Sequence, residues 1–211
     1  MIARPAPRSA RRASRQRGQG LTEFALLLPV FLLLLVAMLE FGLAFGDRLT
    51  LGNATREGAR IGAALGTGMT TTCSGDPRSV DATVIASVQN ILKSTGSDIT
   101  MSDITQIRIF KASASGTQVG AYANVWTYTP GAGPDADPDA GTEILDFSPS
   151  STNWTACSRD NTPPDPDSIG VRIDYRYRLE TPLAALVAFV GGSQASTYTM
   201  VDSTIMSLNP N

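Results

Sequence analysis

The longest apolar stretch runs from Phe24 to Phe45, 22 residues broken only by Pro29 and Glu40. At 1.5 Å per residue a helix of that length measures about 33 Å, enough to cross a hydrocarbon core of about 30 Å. Proline is tolerated in membrane helices and is expected to bend this one at Pro29. The pattern stays helical beyond the span. Residues 47–65, DRLTLGNATREGARIGAAL, are rich in alanine, arginine and small residues and contain no proline. Gly42 and Gly46, then Gly58, Gly62 and Gly66, recur every four residues. They line a face where another helix could approach closely, or they reflect only how common glycine is in this chain. Arg56, Glu57 and Arg60 fall within one turn, on a solvated face or paired at helical spacing.

A second helix is expected from Asp76-Pro77, a cap followed by a first-turn proline, to Gly96. Its apolar stripe is Val80, Val84, Ile85, Val88, Ile91 and Leu92, the pattern of an amphipathic helix packed on a sheet. The period then changes. Ile107 and Ile109 alternate with Gln106 and Arg108, and Val125-Trp126-Thr127-Tyr128 is rich in strand formers. The clearest strand puts Ile169, Val171, Ile173, Tyr175, Tyr177 and Leu179 on one face. Arg172, Asp174, Arg176 and Arg178 lie on the other, a solvated surface or a contact surface for a partner. Residues 195–208 alternate again and suit the hairpin partner of 169–179. Between them Leu183 to Val190 is wholly apolar, too short to span a bilayer, and either buried or exposed and adhesive.

Charge divides at the apolar run. Six arginines (Arg4, Arg8, Arg11, Arg12, Arg15, Arg17) precede it with no acid among them. Setting these aside, with Glu23 and Glu40, leaves 11 basic against 17 acidic residues from Asp47 onward, a net of −6. Arginine before a span and acid after it fits a cytoplasmic N-terminus and an exported remainder. An acidic domain with scattered arginines offers no footprint for nucleic acid. With no histidine in the chain, histidine triads, histidine zinc ligands and a histidine base are excluded. The leader, residues 1–17, has no hydrophobic pattern and is expected to be disordered in water.

Cys73 and Cys157 both follow the span. In an oxidising compartment they have one intramolecular pairing, which would stabilise the fold by about 4–5 kcal/mol in the chain-entropy account; otherwise they are two buried thiols. Asp135, Asp137 and Asp139 sit in a proline-rich loop and resemble the start of a calcium loop, with Asp146 at the twelfth position. The required sixth-position glycine is Ala140 and Pro138 interrupts the turn, so no cofactor or metal is expected. Asn53-Ala54-Thr55 and Asn153-Trp154-Thr155 are read as chance matches to the glycosylation triplet.

Glu23 stands at the mouth of a run with no charge from Phe24 to Leu39. A carboxylate in a bilayer costs up to about 2.5–3.5 kcal/mol at the centre and less toward the edge, so a mere anchor would carry leucine there. Two stretches are together fairly specific. Residues 17–29, RGQGLTEFALLLP, and residues 53–60, NATREGAR, resemble the TadE-like minor pseudopilins of the bacterial tight-adherence (Flp) pilus machine. The end of the chain, 169–179 followed by Thr181-Pro182-Leu183 and a final strand closing on Ser207-Leu208-Asn209-Pro210, resembles that family more weakly. Residues 70–165 resemble nothing nameable.

The resemblance implies processing by a membrane-embedded prepilin peptidase between Gly18 and Gln19. Glu23 then becomes the fifth mature residue, followed by Phe24, at the place where pilins carry glutamate. The new α-amine of Gln19 is cationic at neutral pH, and a neighbouring subunit's Glu23 neutralises it. An unpaired carboxylate in a helix bundle is costly, whereas a paired one sets register. Arg56, Glu57, Gly58, Ala59 and Arg60 form the family's segment just past the membrane.

Gly20 is a second glycine, but cleavage there would leave Glu23 third. Ala44-Phe45-Gly46 also has the small residues signal peptidase wants, which opens a competing reading: a secreted or tethered binding or carboxylate-dependent enzyme domain. The expected architecture is α+β: a leader 1–18, a continuous helix 19–66, and a head 67–211 with an antiparallel sheet and a packed helix. The expected role is assembly of a tight-adherence pilus, adhesion or biofilm formation, without enzymatic activity. The expected partners are prepilin peptidase, other minor pilins or pseudopilins, the assembly platform and the inner membrane, with the head periplasmic or on the pilus.

Overall fold

A computed structural model describes residues 10–66, 80–136 and 143–209. Helix α1 runs unbroken from Ala10 to Leu65, 56 residues with Pro29 inside. It begins well before position 19. Alanine, arginine and glutamine are good helix formers and no proline intervenes after Pro7, so a helix nucleated in the apolar run propagates backward through the leader's second half. Its other end falls where the pattern placed it. Gly66 takes φ +54°, the left-handed conformation glycine adopts at low cost, and its N–H reaches the Gly62 carbonyl at 3.1 Å.

Helix α2 (Val80–Leu92) is followed by strands β1 (Ile104–Ala112), β2 (Gln118–Tyr128), β3 (Phe147–Thr152) and β4 (Ser168–Arg178). Helix α3 (Leu183–Gly191) and strand β5 (Thr197–Ser207) complete the described chain. The strands form one antiparallel sheet in the order β3-β2-β1-β4-β5. The architecture is α+β, as the alternation and the helical stripes require. The proposed helix start at Asp76-Pro77 lies outside the described residues, as do Cys73, Asp137, Pro138, Asp139 and Ala140.

The inward face of the sheet is set by register. Ile107 pairs with both Trp126 and Ile173, and Ile109 with Val171, so large apolar side chains from three strands form a ladder. The second half of α1 closes this face with Leu51, Ala54, Ala59 and Ala63, all buried. Helix α2 adds Val80, Val84, Ile85, Val88 and Leu92 to the same core. The sequence pattern put α2 on a sheet; in the structure its closest neighbour is α1, and the two helices cover the sheet together.

The glycine spacing explains how they fit. A Cβ on Gly58 would lie 2.6 Å from Val88 Cγ2 and 3.3 Å from Val171, and one on Gly62 would lie 2.7 Å from Ile169 Cδ1. Close approach is therefore what Gly58 and Gly62 provide. Gly42 and Gly46 have open space around them. On the outer face of the sheet Phe110 lies over Gly170, where any side chain would collide with the ring, and Ala112 and Ala123 complete a small second cluster. Strand β5 pairs with β4 along its whole length, from Ser168 opposite Ser207 to Arg178 opposite Thr197. The hairpin partner inferred from alternation is thus correct, although α3 rather than a tight turn joins the two strands.

Candidate functional site

Three stretches of α1 differ in what surrounds them. At the N-terminal end Gln19 Nε2 donates to Glu23 Oε1 at 3.0 Å, and Thr22 Oγ1 donates to the Gln19 carbonyl at 2.8 Å. Glu23 and Phe24 are exposed, as are all residues from Gln19 to Leu35. The Gly18–Gln19 bond lies within the continuous helix. The carboxylate proposed to meet a neighbour's amine therefore projects from a part of α1 that its own head leaves bare. Its nearest polar partner is the very residue that would become the new terminus.

The middle stretch is a neck that the sequence reading missed. Glu40 is 4% exposed although it stands within the apolar run. Its Oε1 accepts the Tyr177 hydroxyl at 2.6 Å and the Glu180 N–H at 3.1 Å, and Oε2 accepts the Thr181 N–H at 2.9 Å. Tyr177 is further held against Tyr198, ring centroids 5.0 Å apart. The end of β4 and the turn after it are thus tied to the span by one side chain. Charge-assisted hydrogen bonds of this kind are stronger than neutral ones, which explains why an acid is tolerated there. The signal in the sequence was its position: an acid in a greasy run, seventeen residues past Glu23. Two turns on, Asp47 is also buried, with Oδ2 lacking a hydrogen-bond partner.

The third stretch holds the segment expected just past the membrane. Gly58 and Ala59 face the core, whereas Arg56 and Arg60 are exposed. Arg60 makes a bidentate pair with Glu57, Nε to Oε2 at 2.9 Å and the terminal nitrogen to Oε1 at 2.6 Å. This pair holds the Glu57 carboxyl below its usual range and keeps both charges fixed on the face turned away from the head. Thr55, buried on the covered side, donates to Asp202 of β5 at 2.6 Å. The five-residue motif therefore has two jobs: glycine and alanine let the head approach, and the charged residues present an outward surface.

A second cluster the sequence did not reveal lies inside the head. Asp81 of α2 accepts from Arg159 at 2.5 Å on Oδ1 and from Asn124 Nδ2 at 2.5 Å on Oδ2. Asn124 also donates to the Trp154 carbonyl at 2.7 Å and accepts the Trp154 N–H at 2.8 Å. The guanidinium of Arg159 lies over the Trp154 ring, 4.6 Å from its centroid. Every member is buried. Asp81 occupies a stripe position, three and four residues before Val84 and Ile85, and an acid on an apolar stripe is the one available hint. The cluster staples α2 to β2 and to the loop that carries Cys157. Cys73, the partner expected for Cys157, lies outside the described residues.

Asp146, a calcium candidate in the sequence, is engaged by Lys93 at 2.5 Å and by the Gly131 N–H at 2.8 Å. Lys93 and that backbone bond hold its carboxyl below the usual range. Asp135 accepts the Glu143 N–H at 2.9 Å.

These features define a class: a chain with one N-terminal helix long and apolar enough to cross a membrane, continuing into an α+β head that it helps to build. The family model described as TadE-like protein matches residues 18–60, beginning at Gly18 and ending at Arg60. The resemblance to the TadE-like family holds over that stretch, which contains the exposed Glu23, the buried Glu40 and the motif past the span. No curated protein and no solved structure matches the chain.

Proposed function

We propose that this protein is a minor pseudopilin that takes part in assembly of a tight-adherence pilus, a structural protein rather than an enzyme. In this reading α1 anchors it in the bacterial inner membrane with the N-terminus cytoplasmic and the head periplasmic or on the pilus. Prepilin peptidase cuts after Gly18, and Glu23 docks against the amine of Gln19 on a neighbouring pilin or pseudopilin. The observation that carries the reading is that the family match starts at Gly18 and runs along a helix that its own head leaves exposed from Gln19 to Leu35. A helix left bare on all sides is suited to lipid and to other helices.

Ordinary signal cleavage near Ala44-Phe45-Gly46 is disfavoured by the neck. It would discard Glu40 and leave the Tyr177 hydroxyl and the Glu180 and Thr181 N–H groups without their acceptor.

Mass spectrometry of the native product tests the reading directly. A chain beginning at Gln19 is expected; one beginning at Phe45 or Asp47 supports a released domain instead. Gly18→Val should accumulate the uncut precursor, because a branched side chain now flanks the scissile bond. Glu23→Ala should be cut normally yet fail to enter or support pilus assembly, scored by surface pili. Normal piliation from the Glu23 variant would remove the central role given to that carboxylate.

A further inference from the structure

Among the described residues of the head, helix α3 presents the most apolar exposed surface. Its sequence, LAALVAFVG, carries no polar side chain, and none of its residues is buried. Phe189 is 88% exposed, Val190 80% and Leu186 45%. In water such a surface is an adhesive liability. Its position in the fold supplies the reason for it.

The chain enters α3 from Glu180 and Thr181, the two residues whose N–H groups Glu40 accepts. Helix α3 packs against α1. The face of α1 that the head covers begins at Val36 and Ala37 and continues through Glu40, Leu43 and Ala44. Val36 and Ala37 lie in the charge-free run, and from Val36 to Phe45 the helix rises about 14 Å. On the opposite face Met38, Leu39 and Phe41 remain exposed over the same length. The head therefore reaches down beside nearly half of the apolar span. Irregular backbone is tolerated at that depth only where its polar groups are satisfied, which is what Glu40 does for residues 180 and 181.

We propose that α3 is a membrane-inserted foot: it lies in the outer leaflet of the bilayer that α1 crosses, with Leu186, Phe189 and Val190 among the acyl chains. At nine residues it is too short to span, and it packs against the helix that does. Helices of this kind settle about 5–10 Å into the headgroup and acyl boundary. The foot fixes the height of the head above the membrane and limits its tilt, so the outward face bearing Arg56 and Arg60 is held at one depth. This inference rests on the reading of α1 as a membrane span.

The test uses the full chain reconstituted into phosphatidylcholine vesicles with acyl chains brominated near the headgroup, which quench tryptophan on contact. The native Trp126 and Trp154 are buried in the head and give the background. Three variants are compared: Phe189→Trp on α3, Leu39→Trp on the exposed face of the span, and Tyr122→Trp on the head. The inference expects the emission added by Phe189→Trp to be quenched as strongly as that added by Leu39→Trp, with Tyr122→Trp unquenched. Quenching at 39 without quenching at 189 would overturn the foot while leaving the span intact. That is also the outcome if a second protein or second copy covers α3. Absence of quenching at both positions would overturn the span reading, and the foot with it.

Discussion

Replacing Asp81 by alanine is expected to destabilise the head by about 3–5 kcal/mol, the usual cost of leaving a buried charge without its partner. The Arg159 side chain is wholly buried, and Asp81 is its ion-pair partner at 2.5 Å. Its Nε and one terminal nitrogen already lack hydrogen bonds, so the cation depends on this carboxylate and on the Trp154 ring. Asn124 would lose an acceptor in the same substitution. The measurement is urea unfolding of the full chain in detergent, followed by the fluorescence of Trp126 and Trp154. Asp81→Ala combined with Arg159→Ala should cost less than the two single changes added, because the double variant no longer buries an unpaired cation. A loss below about 1 kcal/mol for the single variant would show that the cation is compensated in some other way.

Glu40→Ala should open the neck and leave the core closed. Three donors lose their acceptor, and each buried donor left unsatisfied costs about 1–3 kcal/mol. The expected result is faster amide exchange at Glu180 and Thr181, by about tenfold for every 1.4 kcal/mol lost. Amides of β1 and β4 in the centre of the sheet should hold their protection. Their bonds are made within the sheet, and the core beneath them is closed by the part of α1 beyond Asp47 and by α2. Glu40→Gln should fall between, since it keeps one carbonyl acceptor but not the charge. Unchanged exchange at 180 and 181 in the alanine variant would mean that the contacts of α3 and β5 with α1 hold the neck without Glu40.

Local pattern revealed most of the scaffold. A 22-residue greasy run, glycines four apart, and a strand alternating from Ile169 to Leu179 each announce their element because the signal is repeated many times over. Where repetition fails, so does legibility. Only Val125 to Tyr128 of β2 read as strand, because Gly120, Ala121 and Ala123 are weak strand formers that the sheet nonetheless recruits. Strand β3 contains Pro149, which an edge position permits and a sequence pattern discourages. Eight apolar residues in a row have no period, so α3 could be seen as apolar but not as a helix, nor as exposed.

The candidate site divides the same way. Glu23 was visible because its surroundings in sequence are its surroundings in space. Glu40 and Asp81 find their partners 137 and 78 residues away, at Tyr177 and Arg159. No local window contains both ends of such a pair. What can be read is the anomaly, an acid where an apolar residue would be cheaper, and both positions show it.

The absence of any joint between rod and head has a mechanical corollary. Leu51, Ala54, Ala59 and Ala63 belong at once to α1 and to the core, so tension on one is borne directly by the other. A chain built this way cannot swivel at the base of its head. Load travels along the backbone of α1 into the sheet, and the first part to yield under traction should be the flap formed by α3 and its tether, well before the body of the molecule gives way.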